Sequence, residues 1–364
     1  MRIEIPALTG IRAIAAYMVF IHHYFGTNCT GKFWCPVVLE MHTGVSIFFV
    51  LSGFLITYKY YQSSSLNFNW LKNYYVSRFA RIYPLFFLVT VLTLIFLKSP
   101  AFEWFLTLTF LKGFFDSYKF IIISQTWTLT VEVVFYFLAP YIFVLAKKRT
   151  NLALQFVLFF LVGILIAGGG QVENFRAFTS GHIFLFIYTF LGRSFEFFVG
   201  IFLALKVAKK KNPTPGVGYG VGYLPRAGYL MGKKFTLLGL SGVIFTIILI
   251  SSFQSGDYRY GIFSPEGLLL HNFALPVAIS IFFWGLITEK TNLSFFLSGP
   301  LMQLLGKSSY AFYLIHLGVI AQMLPSFSRF NMFAFFISLN ILAIFLYYFI
   351  EKPANLWFKK NLAG

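Results

Sequence analysis

Apolar segments long enough to cross a lipid bilayer recur along the entire sequence. A membrane-spanning helix needs about 20 consecutive, mostly apolar residues. Segments of suitable length and polarity can be placed at residues 8–26, 41–60, 82–98, 127–146, 152–169, 190–207, 236–252, 268–288, 308–324 and 331–350. With 58% hydrophobic and only 11% charged residues, the chain has too much apolar surface for one water-soluble core. The pattern predicts an all-α integral membrane protein, a polytopic bundle of about ten transmembrane helices.

The basic residues are distributed unequally between the two sides of these segments. With a cytoplasmic N-terminus, 20 of the 29 lysines and arginines fall on the cytoplasmic side and 8 outside, while Arg12 lies within the first segment. Cytoplasmic loops of membrane proteins carry an excess of Lys and Arg. We therefore expect both termini to be cytoplasmic, in a multi-pass protein of the cytoplasmic (inner) cell membrane. This topology explains the formal net charge of +18 without a nucleic-acid partner, for which the sequence shows no recognition module.

The loops add little to this organisation. Residues 208–235 include three consecutive lysines and a Pro-, Gly- and Tyr-rich run, which predicts a flexible cytoplasmic loop, and no appended soluble domain is predicted. Cys29 and Cys35 lie in the first external loop, where an oxidising compartment allows a disulfide and a reducing one leaves two thiols. Neither cysteine has a partner at metal-ligand spacing, so we predict no metal site.

Two ionisable side chains, Arg12 and His23, lie within the first apolar segment. An ionisable group inside hydrocarbon costs several kcal/mol, so such residues are candidates for function by default. On an α-helix, eleven residues at roughly 100° each come within about 20° of three full turns and rise roughly 16 Å. The spacing therefore predicts that both side chains point the same way and line one cavity.

The second apolar segment contains small residues at Gly44, Ser46, Ser52 and Gly53. Small residues let another backbone approach a helix closely, and they equally let a ligand approach. Both interpretations, helix packing and ligand binding, remain open for this segment.

Arg78 and Arg81 stand three residues apart just before Tyr83-Pro84. This position predicts one face of a helix start at the cytoplasmic boundary. Paired guanidinium groups suit phosphate oxygens, and basic residues at a boundary also act as topology anchors. Only the phosphate function requires arginine rather than lysine.

Glu132 and His316 are further ionisable residues at predicted membrane depth. Glu132 must be paired, protonated or hydrated there, so it either orients a histidine or pairs with an arginine. His316 is either a cavity residue or a hydrogen-bonded core histidine. The remaining histidines lie near predicted span ends, where an interfacial position explains them: His22, His42, His182 and His271.

Six motifs follow one another along the chain. They are residues 8–12 (LTGIR) with His23, 48–54 (FFVLSGF), 78–84 (RFARIYP), 127–132 (WTLTVE), 309–316 (SYAFYLIH) and 351–353 (EKP). Together they resemble the membrane-bound acyltransferase-3 family, in the family's order and spacing from about residue 6 to residue 353. The resemblance implies that residues 1–364 form a single transmembrane acyltransferase domain.

Members of that family transfer acyl groups, commonly acetyl, from cytoplasmic acyl-CoA to carbohydrate hydroxyls outside the cytoplasm. The resemblance implies a membrane O-acyltransferase in the lipid bilayer, with acyl-CoA as donor, a cell-surface or envelope polysaccharide as acceptor, and no tightly bound cofactor or metal. It implies catalytic roles for His23 and Glu132. It implies donor binding by Arg12, Ser52, Arg78 and Arg81, and substrate or cavity positions for Trp127, Tyr313 and His316.

One position departs from the family pattern, because Val133 stands where a second glutamate commonly follows Glu132. The departure weakens any mechanism that needs two carboxylates there. His23 would act either as general base on the acceptor hydroxyl or through an acyl-histidine intermediate. The alternatives are an acyl relay to a separate extracytoplasmic transferase and a transporter whose path the charged residues line. The sequence leaves open the acyl group, the acceptor, the side of the membrane on which the acceptor binds and the oligomeric state.

Overall fold

A computed structural model describes residues 5–26, 29, 31–148, 151–168, 182–211, 233–256, 258–323 and 331–362. The α-helices are α1 (Pro6–Ile21), α2 (Cys35–Leu39), α3 (Gly44–Tyr60), α4 (Phe68–Leu97), α5 (Ala101–Leu108), α6 (Trp127–Lys147), α7 (Leu152–Gly168), α8 (His182–Tyr188), α9 (Phe190–Lys211), α10 (Lys234–Ser251), α11 (Pro265–Leu269), α12 (Leu275–Thr288), α13 (Asn292–Ser298), α14 (Pro300–Ile315), α15 (Val319–Gln322), α16 (Met332–Leu346) and α17 (Lys352–Leu362). Short 3₁₀ or π turns link several of them. Most of the loop predicted at 208–235, residues 212–232, lies outside the described residues.

The prediction of an all-helical, multi-pass membrane protein is confirmed. Within the described ranges, six helical segments are long and apolar enough to cross a membrane: Cys35–Tyr60, Phe68–Leu97, Ser124–Lys147, Lys234–Ser251, Pro265–Thr288 and Met332–Leu362. The apolar helix Leu152–Ile166 is shorter, and α1 has only 16 residues. The count of ten spans and the cytoplasmic termini therefore stay predictions.

Two predicted boundaries were wrong. We expected a span to begin at residue 82, but α4 begins at Phe68, where the Asn67 side chain caps the helix by accepting from the Trp70 N–H at 2.8 Å. The helix continues through Pro84. A proline removes one backbone hydrogen bond, and a helix surrounded by other helices can tolerate that loss. Arg78 and Arg81 consequently lie well inside a long helix rather than at a helix start.

The predicted span at residues 308–324 is also interrupted. Helix α14 already begins at Pro300 and ends at Ile315, and Gly318 has φ of +86°. Residues with a side chain rarely adopt this backbone conformation, so glycine permits the turn. His316 thus follows the C-terminal end of a helix instead of lying in mid-span.

The chain divides into two compact units, of which the first comprises Met1–Gln62 and Phe195–Gly306. Its core joins apolar side chains of α1, α3, α9, α10 and α12. A Cβ added at Gly44 would lie 2.4 Å from the Ala15 carbonyl oxygen, and one added at Gly53 would lie 2.2 Å from that of Phe197. Both glycines therefore allow close helix packing, which is one of the two interpretations of that segment.

The second unit comprises Ser63–Ser194 and Lys307–Gly364. Here the amide nitrogen of Gln125 donates to the carbonyl oxygens of Tyr313 and Leu314 at 3.1 and 3.0 Å. The Tyr310 hydroxyl donates to the Ile82 carbonyl oxygen at 2.8 Å. These bonds fasten α14 to the start of α6 and to the middle of α4. The three helices carry three of the six sequence motifs between them.

Candidate active site

The predicted site residues belong to both units. Arg12, His23 and Ser52 lie in the first unit, and all three side chains are partly buried. The remaining predicted residues lie in the second unit: Arg78, Arg81, Trp127, Glu132, Tyr313 and His316.

The structure at the end of α1 changes the side-chain direction that the spacing from Arg12 predicted for His23. The α-helix ends at Ile21, and a π-helical turn occupies His22–Gly26. A π turn is wider than an α turn, so the rotation of 100° per residue does not extend to His23. The direction of the His23 side chain is set by this turn, and such turns frequently occur at functional sites.

Around this turn, the first unit gathers histidines that the sequence left at separate span ends. The ring centroid of His22 lies 4.9 Å from that of His23 and 5.3 Å from that of His42. His42 in turn lies 5.8 Å from His271. The ring of Tyr260 packs beside both His22 and His42, at 5.6 and 6.0 Å. We call His22, His23, His42 and His271 the histidine cluster.

Glu40 is a completely buried acidic residue that contacts the histidine cluster. One carboxylate oxygen, Oε1, accepts from the Gln254 amide at 2.7 Å and from the Gly261 N–H at 2.6 Å. The other, Oε2, accepts from Nε2 of His42 at 3.0 Å. A buried carboxylate is stable only when it is paired and hydrogen-bonded, and these three donors meet that requirement.

Hydrogen bonds to oxygen acceptors also fix which ring nitrogen of His22 and of His271 carries a proton. Nδ1 of His22 donates to the Leu39 carbonyl oxygen at 2.7 Å, and Nδ1 of His271 donates to Oδ1 of Asn272 at 2.8 Å. The Ser46 hydroxyl contacts Nε2 of His271 at 3.4 Å. A neutral imidazole that donates from one nitrogen presents a lone pair on the other. The cluster therefore contains oriented proton acceptors.

In the second unit, Arg78, Glu132 and Tyr136 form a contiguous polar group. The Tyr136 hydroxyl donates to Oε1 of Glu132 at 2.5 Å. The Arg78 guanidinium lies 5.8 Å from the centre of the Tyr136 ring, within the distance of a cation–π contact. These contacts bring Glu132 and an arginine of its own unit to the same tyrosine, and the predicted catalytic role of Glu132 stays a prediction.

Arg81 has a partner that the sequence did not indicate. Its guanidinium forms an ion pair with Oε1 of Glu351, in the motif that closes the family pattern. The Glu351 side chain is 3% exposed and that of Arg81 is 27% exposed. The Arg81 guanidinium also lies 5.9 Å from the centre of the Tyr310 ring. A structural ion pair is therefore a third candidate function of Arg81, besides phosphate binding and topology anchoring.

The three predicted cavity residues make mostly structural contacts. Tyr313 shares a hydrogen bond with the Thr128 hydroxyl at 3.0 Å, and His316 donates from Nδ1 to the Tyr313 carbonyl oxygen at 2.8 Å. His316 is completely buried. Trp127 packs edge-on against Tyr188 at 4.9 Å. Their placement near a substrate stays a prediction.

Lys112 is a buried charged residue that the sequence did not single out. Its Nζ donates to the carbonyl oxygens of Ile121 and Ile123 at 2.6 and 2.9 Å. Burial lowers the pKa of Lys112 to about 7. The lysine fixes the segment immediately before α6, the helix that carries Trp127 and Glu132.

Replacing Lys112 with Met is expected to remove a pH dependence of stability. An exposed lysine has a pKa of about 10.4, so between pH of about 7 and 10 the unfolded chain binds more protons than the folded chain. Lys112 therefore makes stability rise with pH in this window, by up to about 1.4 kcal/mol per pH unit. Thermal unfolding of wild type and Lys112→Met in detergent across this range measures the difference, with the exposed Lys72→Met as control. A difference in stability between wild type and Lys112→Met that does not change with pH would contradict the prediction.

The structure also answers the question about the cysteines. Cys29 and Cys35 form a disulfide, with their Cα atoms 5.4 Å apart. The bridge closes the loop between the π turn and α2, the helix that ends just before Glu40. It agrees with an oxidising environment for this loop.

Comparison with known proteins identifies the family. The Acyl_transf_3 model, described as an acyltransferase domain, matches residues 5–351. The chain belongs to the acyltransferase-3 family. Arg12, His23, Glu132 and Glu351 all lie inside the matched region, so the resemblance seen in the six motifs is confirmed. No solved structure matches the chain.

Two curated relatives of this acyltransferase-3 protein share a limited region with it. The acyltransferase MdmB of Streptomyces mycarofaciens is 31% identical over 107 residues, which cover 27% of this chain and 26% of MdmB. The peptidoglycan O-acetyltransferase OatA of Listeria monocytogenes is 32% identical over 96 residues, covering 25% of this chain and 14% of OatA. The aligned region thus spans about a quarter or less of either relative.

Proposed function

We propose that this protein is a membrane O-acyltransferase that moves an acyl group, commonly acetyl, from cytoplasmic acyl-CoA to a hydroxyl of a cell-surface or envelope polysaccharide. The observation that carries the proposal is the family match over residues 5–351, which includes the motif histidine His23. The name of the relative OatA, a peptidoglycan O-acetyltransferase, supports acetyl as the acyl group and a polysaccharide as the acceptor. An integral membrane position lets one protein meet a cytoplasmic donor and an external acceptor.

In this proposal His23 is the reactive histidine. It either removes the proton of the acceptor hydroxyl or carries the acyl group as an acyl-histidine. The π turn gives it a position among other oriented imidazoles. Arg12 and Ser52, in the same unit, are proposed to contact the donor.

The second unit is proposed to bind the phosphates of CoA. Arginine suits phosphate because its planar guanidinium has five donors and can form several charge-assisted hydrogen bonds. Arg78 and Arg81 are both proposed to contact phosphate, and the ion pair with Glu351 occupies part of the Arg81 guanidinium. Tyr136 contacts Arg78 through its ring and Glu132 through its hydroxyl. The path of the acyl chain is proposed to be lined by Trp127, Tyr313 and His316.

Mass spectrometry of surface glycans tests the proposed function. Glycans from cells with the protein are expected to carry an O-acyl group that is absent from cells without it. The mass of the group and the position of the ester would identify both the acyl group and the acceptor. Identical glycans in the two strains would contradict the proposal, and acylation that also requires a second protein would indicate the relay.

Arg78→Ala is expected to weaken acyl-CoA binding by roughly 10- to 100-fold, because a charge-assisted hydrogen bond contributes about 1.5–3 kcal/mol. Titration of the purified protein with acetyl-CoA measures the dissociation constant. Lys72→Ala, an exposed basic residue earlier on the same helix, is the control for a general loss of positive charge. Unchanged binding in Arg78→Ala would leave this arginine without a role in donor recognition.

A further inference from the structure

The pair formed by Glu40 and His42 has the geometry of a general base. The carboxylate accepts the Nε2 proton of His42 at 3.0 Å, which leaves the lone pair on Nδ1. Within the described part of the chain, Nδ1 of His42 makes no hydrogen bond. The His42 side chain is 22% exposed whereas Glu40 is not exposed at all. A reactant can therefore approach the histidine but not the carboxylate that holds it.

The orientation of Glu40 is set by residues far from it in the sequence. Gln254 and the Gly261 N–H both bind its Oε1, and Gln254 also donates to the Pro36 carbonyl oxygen at 2.9 Å. The carboxylate is therefore held before any reactant arrives. A carboxylate in this position fixes the tautomer of a histidine and stabilises the imidazolium that forms when the histidine takes a proton.

The ring of His22 lies between His42 and the motif histidine, His23. The ring of His22 contacts both His23 and His42, at 4.9 and 5.3 Å. No group of three or more His, Cys, Asp or Glu side chains among the described residues has the arrangement to hold a metal ion. The arrangement therefore favours proton transfer over metal binding as the function of the cluster.

We propose that His42, oriented by Glu40, is the base that removes the proton of the acceptor hydroxyl, and that His23 carries the acyl group. The proposal rests on the proposed function and divides its chemistry between two histidines. In the first step a ring nitrogen of His23 attacks the thioester carbonyl carbon. The carbon–sulfur bond breaks, and the CoA thiolate leaves with the electron pair and takes a proton from solvent.

In the second step the acceptor oxygen attacks the acyl carbon while its proton passes to Nδ1 of His42. The bond between the acyl carbon and the His23 nitrogen breaks, and its electron pair returns to the ring. The His42 imidazolium, stabilised by Glu40, then releases its proton to solvent, which balances the proton taken up by CoA. The Glu40 and His42 pair thus acts only after CoA has left.

The experiment measures the two steps separately in Glu40→Gln and His42→Gln. Purified protein is mixed with acetyl-CoA and isotopically labelled CoA without acceptor, and incorporation of label into acetyl-CoA reports the first step. Acylation of surface glycans in cells reports both steps. A glutamine at position 40 can still accept from Gly261, but its amide donates towards His42 and favours the tautomer that carries a proton on Nδ1.

Both variants are expected to keep label exchange within about threefold of wild type and to lose glycan acylation by at least about 100-fold, the usual contribution of a general base. Met41→Leu, between the two residues, is the matched control and should keep both activities. His23→Ala should lose both. Preserved exchange also shows that the variants fold, which a merely structural role of the pair would not predict.

Three results would overturn the inference. Parallel loss of exchange and acylation in both variants would make Glu40 and His42 structural. A wild type that acylates glycans but does not exchange label would show direct transfer, which contradicts the division of roles and leaves the proposed function intact. A wild type that acylates no surface glycan would overturn the proposed function and the inference together.

Discussion

His23→Ala is expected to abolish acyl transfer, with a fall in rate of about 10³-fold or more, because both proposed routes need its imidazole. General acid–base catalysis alone contributes about 10²- to 10⁴-fold, and loss of a covalent intermediate removes the reaction path altogether. The measurement is the rate of glycan acylation in cells, together with the amount of protein in the membrane and its unfolding temperature in detergent. Expression and stability should remain near those of the wild type, because the His23 side chain is only partly buried.

Two control variants distinguish loss of the His23 imidazole from a general disturbance of the π turn. Phe25→Leu changes an exposed side chain of the same π turn and should keep full activity. His22→Ala should keep most of the activity, because the His22 ring is engaged through Nδ1 with the Leu39 carbonyl oxygen and packs between its neighbours. Equal loss in His22→Ala and His23→Ala would mean that the two imidazoles act as one unit, and full activity in His23→Ala would remove it from the mechanism.

Arg81→Met is expected to destabilise the protein by about 3–5 kcal/mol, the usual cost of breaking a buried ion pair from one side. The loss is large because Glu351 is 3% exposed and its carboxylate would lose its guanidinium partner. The double variant Arg81→Met with Glu351→Leu should recover most of the stability, since the remaining buried charge is removed as well. Unfolding of the single and double variants in a denaturant series measures the coupling between the two positions.

The ion pair of Lys119 with Asp116 offers the matched comparison. The Asp116 side chain is 37% exposed, and an exposed ion pair contributes about 0–1 kcal/mol. Asp116→Asn should therefore have little effect. A small loss in Arg81→Met, comparable with that in Asp116→Asn, would show that Glu351 finds another partner or water. It would also return Arg81 to the role of a donor-binding residue or topology anchor.

The sequence alone was enough to select candidate site residues because their signals are local. The motif histidine His23, the basic pair at Arg78 and Arg81, and Glu132 each stand out as ionisable residues in apolar surroundings, where they cost several kcal/mol. The helical class follows from the same segments, since a chain inside a bilayer must satisfy its backbone hydrogen bonds within each helix. The helical class and the family are confirmed, and the catalytic and binding roles of these four residues stay predictions.

Other features could not be predicted, because they depend on contacts between distant parts of the chain. Glu40 receives hydrogen bonds from Gln254 and Gly261, more than 200 residues later in the sequence. From the sequence alone, interfacial positions near span ends explain His42 and His271. The sequence did contain a signal that could have indicated this pair, because Glu40 and His42 are an acid and a histidine two residues apart beside an apolar segment.

The boundaries failed for a different reason. Pro84 and the charged residues before it suggested a helix start, but the helix continues from Phe68 to Leu97. A helix among other helices tolerates a proline, and the neighbouring Tyr310 hydroxyl donates to the Ile82 carbonyl oxygen. The packing around this helix cannot be read from a local segment, since the helix that supplies Tyr310 lies more than 200 residues away in the sequence.

The sequence by itself therefore determined the helical membrane class, the family and the motif histidine, because apolar periodicity and motif spacing are properties of contiguous residues. The tertiary structure decided which charges neutralise one another and which imidazoles are oriented. It paired Arg81 with Glu351 and His42 with Glu40. The physical reason is that the energy of a buried charge depends on its nearest polar neighbours, and here the protein brings those neighbours together only when it folds.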